Sequence, residues 1–300
     1  MSEITTQMVK ELREKSGAGM MDCKKALTET GGNMQKAMNL LREKGAAIAS
    51  KRSSRVAKEG VISSHITPDH KTGTLIELNS ESDFVARNDE FRELAGALAR
   101  HAAGAVEIAA FNETRIETGE TVADLVQAIM GKIGEKIVLT RTAQLKAMSP
   151  NGFIFNYVHP PGKIGVLVEV TGGRADLAGD PAFVEVARDI AMHIAASAPL
   201  CIHRSEVTAD LLQQEREICR NQALNEGKGK PEKIIDKIVE GRLNKFYAES
   251  CLLEQPFAKN PDIKVEEYLK QNSAKFGGAA GVAAFIRYKL GEMAEAAVAE

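Results

Sequence analysis

The sequence predicts an α+β protein of several domains, and three observations lead to that class. Apolar residues in the first 45 positions recur at helical spacing, whereas from Gly60 onward they alternate as strands do. A hairpin-then-helix pattern over 60–103 returns 92 positions later over 152–195. Between 206 and 255 two long helical stretches flank one short breaker. Three hundred residues suffice for two or three units with a sizeable buried core.

Ile4, Met8, Val9 and Leu12 form the first helical stripe, with Thr5 or Thr6 near its start and Ser16-Gly17-Ala18-Gly19 as its stop. The second helix carries Met20, Ala26 and Leu27, with Cys23 or Lys24 between them, and ends near Gly31-Gly32. Asn33 is a good capping type for the third, whose stripe is Met34, Ala37, Met38 and Leu41, and Gly45 is expected to close it. Three such short helices are marginal alone, so they should pack together around Leu12, Leu27 and Leu41. The basic, small-residue passage that follows reads as a linker.

The runs "GVISSHI" and "GTLIELN" flank Thr67–Thr72 and read as a β-hairpin. A helical stretch through Phe91, Leu94, Ala95, Leu98 and Ala102 follows. Then come a further helix at "VADLVQAIMG", a turn at Lys132-Ile133-Gly134-Glu135 and a strand through Ile137-Val138-Leu139. The shift of 92 pairs identical residues at fourteen positions of the 60–103 segment, among them Gly60, Gly73, Leu75, Glu77, Phe91 and His101. Two related subdomains, each a small antiparallel sheet covered by helix, are the expected result.

Past residue 206, "EVTADLLQQEREICRNQALNE" is a polar helix. "GKGKPEK" breaks it, and Pro231 suits the first turn of the next helix, with Ile234, Ile235, Ile238, Val239, Leu243 and Phe246 as its stripe. An antiparallel helical hairpin follows, and its charged first arm suggests that it projects. The expected division is therefore a three-helix unit over 1–50, a linker over 51–59 and a first core subdomain over 60–145. The second subdomain begins over 146–205, the hairpin takes 206–255, and 256–300 returns to the core and supplies a C-terminal segment.

Thirty-nine basic and 41 acidic side chains leave a formal charge of -2, which argues against a nonspecific nucleic-acid binder. The basic stretch at 51–58, with Lys51, Arg52, Arg55 and Lys58, is the best feature on the other side. Cysteines at 23, 201, 219 and 251 lack metal-site spacing and read as reduced thiols. The first residues have acids and no long apolar core, unlike a secretory signal, and no run of 18 apolar residues occurs. A soluble cytoplasmic protein without a membrane segment is the expectation.

Motifs for chemistry are missing. There is no G-x-x-x-x-G-K-[ST], no G-x-G-x-x-G opening a strand-to-helix unit, no H-E-x-x-H and no G-x-S-x-G. "EGKGKPE" lacks the hydroxyl residue and the preceding strand of a phosphate loop, so it reads as a hairpin turn. His101 and His193 occupy matching repeat positions beside alanines, which favours structural roles. His159, in "YVHPPGK", has a better claim to partner contact.

One stretch stands apart: "NSESDFVARNDEF" at 79–91. Phe91 has a counterpart in Phe183 and reads as core, while Asp83 and Phe84 fall on Ala175 and Asp176. Two readings stay open. Phe84 covers the hydrophobic edge of the sheet with Asp83 capping a helix, or it is an exposed anchor for a partner's pocket.

With those residues in view, "LREKSGAGMMDCKKAL" at 12–27 and "SDFVA" at 82–86 resemble the two signatures of the bacterial elongation factor Ts family. "KIGE" at 132–135, "HIAASAP" at 193–199 and "KIVEGRLNKFYAESCLLEQPF" at 237–257 are similar too, in family order across almost the whole chain. The usual signature begins with Thr where this chain has Ser82, which keeps the hydroxyl.

The resemblance implies a guanine-nucleotide exchange factor for elongation factor Tu, and no enzyme with chemistry of its own. It implies a ubiquitin-associated-like three-helix module, a core of two related subdomains, a protruding hairpin and a C-terminal module. Phe84 would be a wedge entering the partner's nucleotide domain near its magnesium, with Asp83 as the polar member and Val85 supporting the turn. Met20, Met21 and Asp22, with the C-terminal helix, would hold that domain, and Ile133, Gly134 and His159 would meet neighbouring surfaces. GDP or GTP and magnesium would belong to the partner, so no cofactor or metal of this chain's own is expected. Self-association is left open, and a protein-binding adaptor without exchange activity is the alternative.

Overall fold

Thr5 and Asn33 open two of the first three helices. The computed structural model describes residues 4–16, 18–52, 55–226 and 231–292. Helices α1 (Thr6–Ser16), α2 (Met20–Glu29) and α3 (Met34–Arg52) come first. The Thr5 hydroxyl accepts the Met8 N–H at 3.2 Å and the Asn33 amide oxygen accepts the Lys36 N–H at 2.9 Å, satisfying donors that a helix start leaves unpaired. Their apolar faces meet around Val9, Leu12, Cys23, Ala26, Leu27 and Ala37, with Leu41 at the margin. One expectation is corrected: Gly45 does not end α3, which runs on to Arg52. A single interior glycine costs only about 1 kcal/mol relative to alanine, the following "AAIASKR" contains good helix formers, and α3 lies along a core helix described next.

Strands β1 (Glu59–Ile66) and β2 (Thr72–Ser80), the single-turn α4 (Asp83–Ala86), α5 (Asp89–Ala103), α6 (Val122–Ile133) and β3 (Ile137–Lys146) follow. The sheet order is β1-β2-β3, antiparallel throughout. Helices α5 and α6 close one face with Phe91, Leu98, Val122, Val126 and Ile129 against Ile76, Leu78 and Ile137. A capping box between Thr121 and Asp124 starts α6, and Gly134 at φ 79° stops it. Helix α3 packs along α6.

The second half contains β4 (Gly152–His159), β5 (Ile164–Thr171), α7 (Pro181–Ser197), α8 (Ala209–Glu226) and α9 (Glu232–Ser250). The small strands β6 (Pro256–Phe257) and β7 (Asn260–Lys264), helix α10 (Val265–Ser273) and strand β8 (Gly281–Lys289) complete it. The order β4-β5-β8 makes a second antiparallel sheet, covered by α7 and α10 around Phe153, Phe183, Ile190, Leu269 and Phe276. Helices α8 and α9 pair through Cys219, Ala223, Ile235, Val239 and Leu243, flanked by Arg220–Asp236 and Arg242–Glu226 ion pairs. The expected hairpin turn at 227–230, Ser53-Ser54 of the expected linker and the C-terminal residues 293–300 lie outside the described residues.

The 92-residue shift also aligns the ladders. Gly60 pairs with Asn79 and Ile66 with Gly73, while Gly152 pairs with Thr171 and Val158 with Gly165. Each central strand breaks register after its buried glutamate, Glu77 in β2 and Glu169 in β5. The two sheets meet through Ile62, Leu75, Ile154 and Leu167, which are two pairs related by the same shift. The glycine of each sheet admits the other sheet's side chains: Gly73 lies against Ile154, and Gly165 against Ile62 and Leu75.

Candidate functional site: a turn that presents Phe84

Where β2 ends, the chain makes the single helical turn of α4. Ser82 is its N-cap, its hydroxyl accepting the Val85 N–H at 3.4 Å. Asp83 is thus the first helical residue and not the cap, a correction to the first of the two readings. On so short a helix adjacent side chains diverge sharply. Val85 and Ala86 turn inward and are each 8% exposed, Val85 joining the α5–α6 core. Phe84 turns outward and is 82% exposed. It covers no sheet edge, so the reading in which it does is set aside. Phe91, seven residues on, is fully buried, and Asn88 caps α5 by accepting the Phe91 N–H at 3.2 Å.

The Asp83 carboxylate accepts from Arg87 Nη2 at 2.9 Å, one helical turn on. Both side chains are well exposed, so the pair contributes only about 0.2–1 kcal/mol and is readily exchanged for another partner.

Two side chains that sequence reasoning missed hold this turn. Glu135 accepts the Ser82 N–H at 3.0 Å and the Ser82 hydroxyl at 2.7 Å. Arg92 donates from Nε to the Ala86 carbonyl at 3.1 Å and from Nη2 to the Pro161 carbonyl at 3.2 Å. Glu135 ties the start of α4 to the Ile133–Gly134 corner, and Arg92 ties its end to the turn that carries His159. Asp83–Val85, Ile133–Gly134 and His159 therefore share one neighbourhood. Ile133 is partly buried on the α5–α6 core, and Gly134 is the left-handed residue that lets Glu135 follow. His159 is exposed, with Nδ1 2.8 Å from the Tyr157 hydroxyl. Its turn is pressed on β1, where the Gly162 carbonyl accepts the Ile62 N–H at 2.8 Å. Val61, Ile62, Ala95, Val158 and Pro160 line a shallow, largely apolar groove there.

Met20, Met21 and Asp22 stand on the three-helix unit at the start of α2. Met20 is 40% and Met21 73% exposed, Asp22 is exposed, and the next residue, Cys23, is fully buried. That unit reaches the first sheet's layer through α3 lying against α6.

The titratable candidates elsewhere are structural. His101 Nε2 lies 3.0 Å from the Thr114 hydroxyl. His193 is buried between Gln255 Oε1 at 2.8 Å and the Ala258 N–H at 3.1 Å, and burial lowers its pKa. Cys201 and Cys251 have Sγ atoms 3.6 Å apart as free thiols. Burial pushes both up, Cys251 to about 12, so neither is a thiolate at neutral pH. Among the described residues no group of His, Cys, Asp and Glu is arranged to hold a metal ion, and no helix is long and apolar enough to cross a membrane.

Fold and site together define an α+β protein whose most distinctive surface feature is an aromatic side chain held outward on a braced turn. The family model described as "Elongation factor TS" matches residues 81–292. The chain is 46% identical to the elongation factor Ts of Prosthecochloris aestuarii over 296 residues, covering 97% of this chain and all of the relative. It is 45% identical to that of Clostridium botulinum (strain ATCC 19397 / Type A) over 293 residues, covering 96% and 93%. With that of Nitratidesulfovibrio vulgaris (strain DP4) it shares 45% identity over 293 residues, covering 98% of each. The chain belongs to the elongation factor Ts family and is a translation elongation factor.

Proposed function

We propose that this chain is the guanine-nucleotide exchange factor of elongation factor Tu, and that Phe84 is the side chain that drives release. Family membership supports the exchange reading. The observation that carries the residue assignment is the 82% exposure of Phe84 beside an 8% exposed Val85. A large aromatic left in water on a braced turn is a group whose burial is deferred until a partner arrives.

The mechanism is a coupling of two binding equilibria. Phe84 enters the partner's nucleotide domain beside the bound magnesium, and Asp83 gives up Arg87 for groups of the partner. Complete burial of a phenylalanine side chain is worth about 1.5–3 kcal/mol, which offsets distortion of the nucleotide site. Met20, Met21 and Asp22 grip the same domain, while Ile133, Gly134 and His159 meet adjoining surface. The bound factor thereby stabilises a partner state that holds GDP and magnesium poorly. Coupling is reciprocal, so incoming nucleotide weakens the factor's grip and permits release. GDP, GTP and magnesium remain the partner's ligands throughout.

The division of labour follows. Residues 1–50 are a ubiquitin-associated-like gripping module, joined to the core through 51–59, whose first two residues finish α3 and whose last opens β1. Residues 60–145 present the wedge, and 146–205 with 256–300 form the related second subdomain and a C-terminal contact. Residues 206–255 project as a helical hairpin. Release of labelled GDP from elongation factor Tu tests the proposal: acceleration by this chain supports it. Unaccelerated release over a broad range of factor concentration rejects it, leaving the adaptor reading.

A further inference from the structure

Helix α4 has only four residues, too few for helical hydrogen bonding to fix its direction. The outward aim of Phe84 must therefore be set by what holds the ends of the turn. At its start the answer lies in the β2–β3 ladder. The last pair of that ladder is Ser80 with Ile137, so the next two register positions are Glu81 with Lys136 and Ser82 with Glu135. There the pairing continues in altered form, with side-chain carboxylates as acceptors. Glu135 accepts the Ser82 N–H at 3.0 Å, and Glu81 accepts the Lys136 N–H at 2.6 Å. Each carboxylate thus binds the main chain of the opposite turn.

Further bonds close the arrangement. The second Glu135 oxygen accepts the Ser82 hydroxyl at 2.7 Å, fixing the rotor whose lone pair receives the Val85 N–H. The second Glu81 oxygen accepts from Arg55 Nη1 at 2.9 Å, while Lys136 Nζ donates to the Arg55 carbonyl at 2.6 Å. Hydrogen bonds to an ionised acceptor are about twice as strong as neutral ones, and those to Ser82 lie in a partly buried setting. Gly134, at φ 79°, supplies the left-handed step that brings Glu135 under Ser82.

We propose that Glu135 is a positioning residue for nucleotide exchange: it holds Ser82, and through it Phe84, in the orientation that enters the partner. This rests on the exchange reading and deepens it. Glu135 meets Ser82, two residues before the wedge, and acts through Phe84. Without it the start of the turn loses two of its bonds and Phe84 is aimed less narrowly, so ordering it on the partner consumes part of the free energy that Phe84 burial supplies.

The test uses the full chain and elongation factor Tu loaded with fluorescent GDP, with release followed as the factor concentration is raised. Glu135→Ala is expected to lower the saturating rate about tenfold while leaving the half-saturating concentration within about twofold, because the remaining contacts persist. Glu135→Gln keeps an acceptor for the Ser82 N–H and should fall between wild type and alanine. In a Phe84→Ala background, Glu135→Ala should change nothing further. Amide hydrogen exchange of the free protein should rise at residues 81–86 and stay unchanged in α5. Wild-type saturating rates for both Glu135 variants overturn the proposal. So does an equal further loss in the Phe84→Ala background, which would mark general destabilisation. Should Glu135→Ala fail to fold, Glu135→Gln carries the same comparison. If wild type itself accelerates nothing, or Phe84→Ala matches wild type, the exchange or wedge reading has failed and this proposal falls with it. A normal Glu135 variant beside a crippled Phe84→Ala removes the positioning role alone.

Discussion

Gly165 of β5 lies so close to Ile62 of β1 that a Cβ on the glycine would come within 2.5 Å of the Ile62 Cγ2. The counterpart Gly73 stands in the same relation to Ile154, at 2.6 Å. The sheet-to-sheet contact that backs the wedge-bearing subdomain is closed by these two missing side chains. Gly165→Ala should therefore overpack the seam and destabilise the protein by about 1–3 kcal/mol. Denaturant unfolding followed by circular dichroism checks this, and a loss below about 0.5 kcal/mol would show that the seam yields to a methyl group.

Acid should weaken the second subdomain through His193. Its imidazole is buried, accepts the Ala258 N–H at Nδ1 and donates from Nε2 to Gln255, so protonation would set two N–H groups against each other. Burial depresses its folded pKa below the ordinary 6.5. The unfolded chain then binds the proton first as pH falls. The contribution of neutral His193 is complete above about pH 6.5 and is lost on acidification below it. Lowering the pH from about 7.5 to 5.5 should reduce the melting temperature by about 2–4 °C more in wild type than in His193→Asn. Equal reductions would contradict the assignment.

The thiols at the base of the helical hairpin should be inert. Burial raises Cys201 and carries Cys251 to about 12, so almost no thiolate exists at neutral pH. Iodoacetamide should modify both at least about 100-fold more slowly in the native protein than in denaturant, as read by peptide mass spectrometry. Comparable rates would mean that the Cys201–Cys251 contact opens readily.

Much of the scaffold was legible because its signals are local. Period-2 runs at 60–66 and 73–79 became β1 and β2, and the shift by 92 located β4, β5 and α7. Gly45 misled because a lone glycine is a weak stop when good helix formers follow and another helix supports the segment. For Phe84, the mismatch with Asp176 separated it from the core aromatics, and its exposure then removed the reading in which it covers the sheet edge. The Glu135–Ser82 contact was not legible. It spans 53 residues and depends on the register of β2 against β3, which no spacing rule reveals. The Arg92 bridge to Pro161 is hidden for the same reason, being made to backbone carbonyls brought together only in the fold.

In the proposed mechanism, an outward phenylalanine on a braced turn drives nucleotide release from a partner. Its most direct test is stopped-flow release of labelled GDP from elongation factor Tu, comparing wild type with Phe84→Ala. Wild type should accelerate release in a saturable way. The variant, with unchanged melting temperature because an exposed side chain is removed, should lose about ten- to a hundredfold of the saturating rate. Absence of acceleration by wild type, or wild-type exchange by folded Phe84→Ala, would contradict the account.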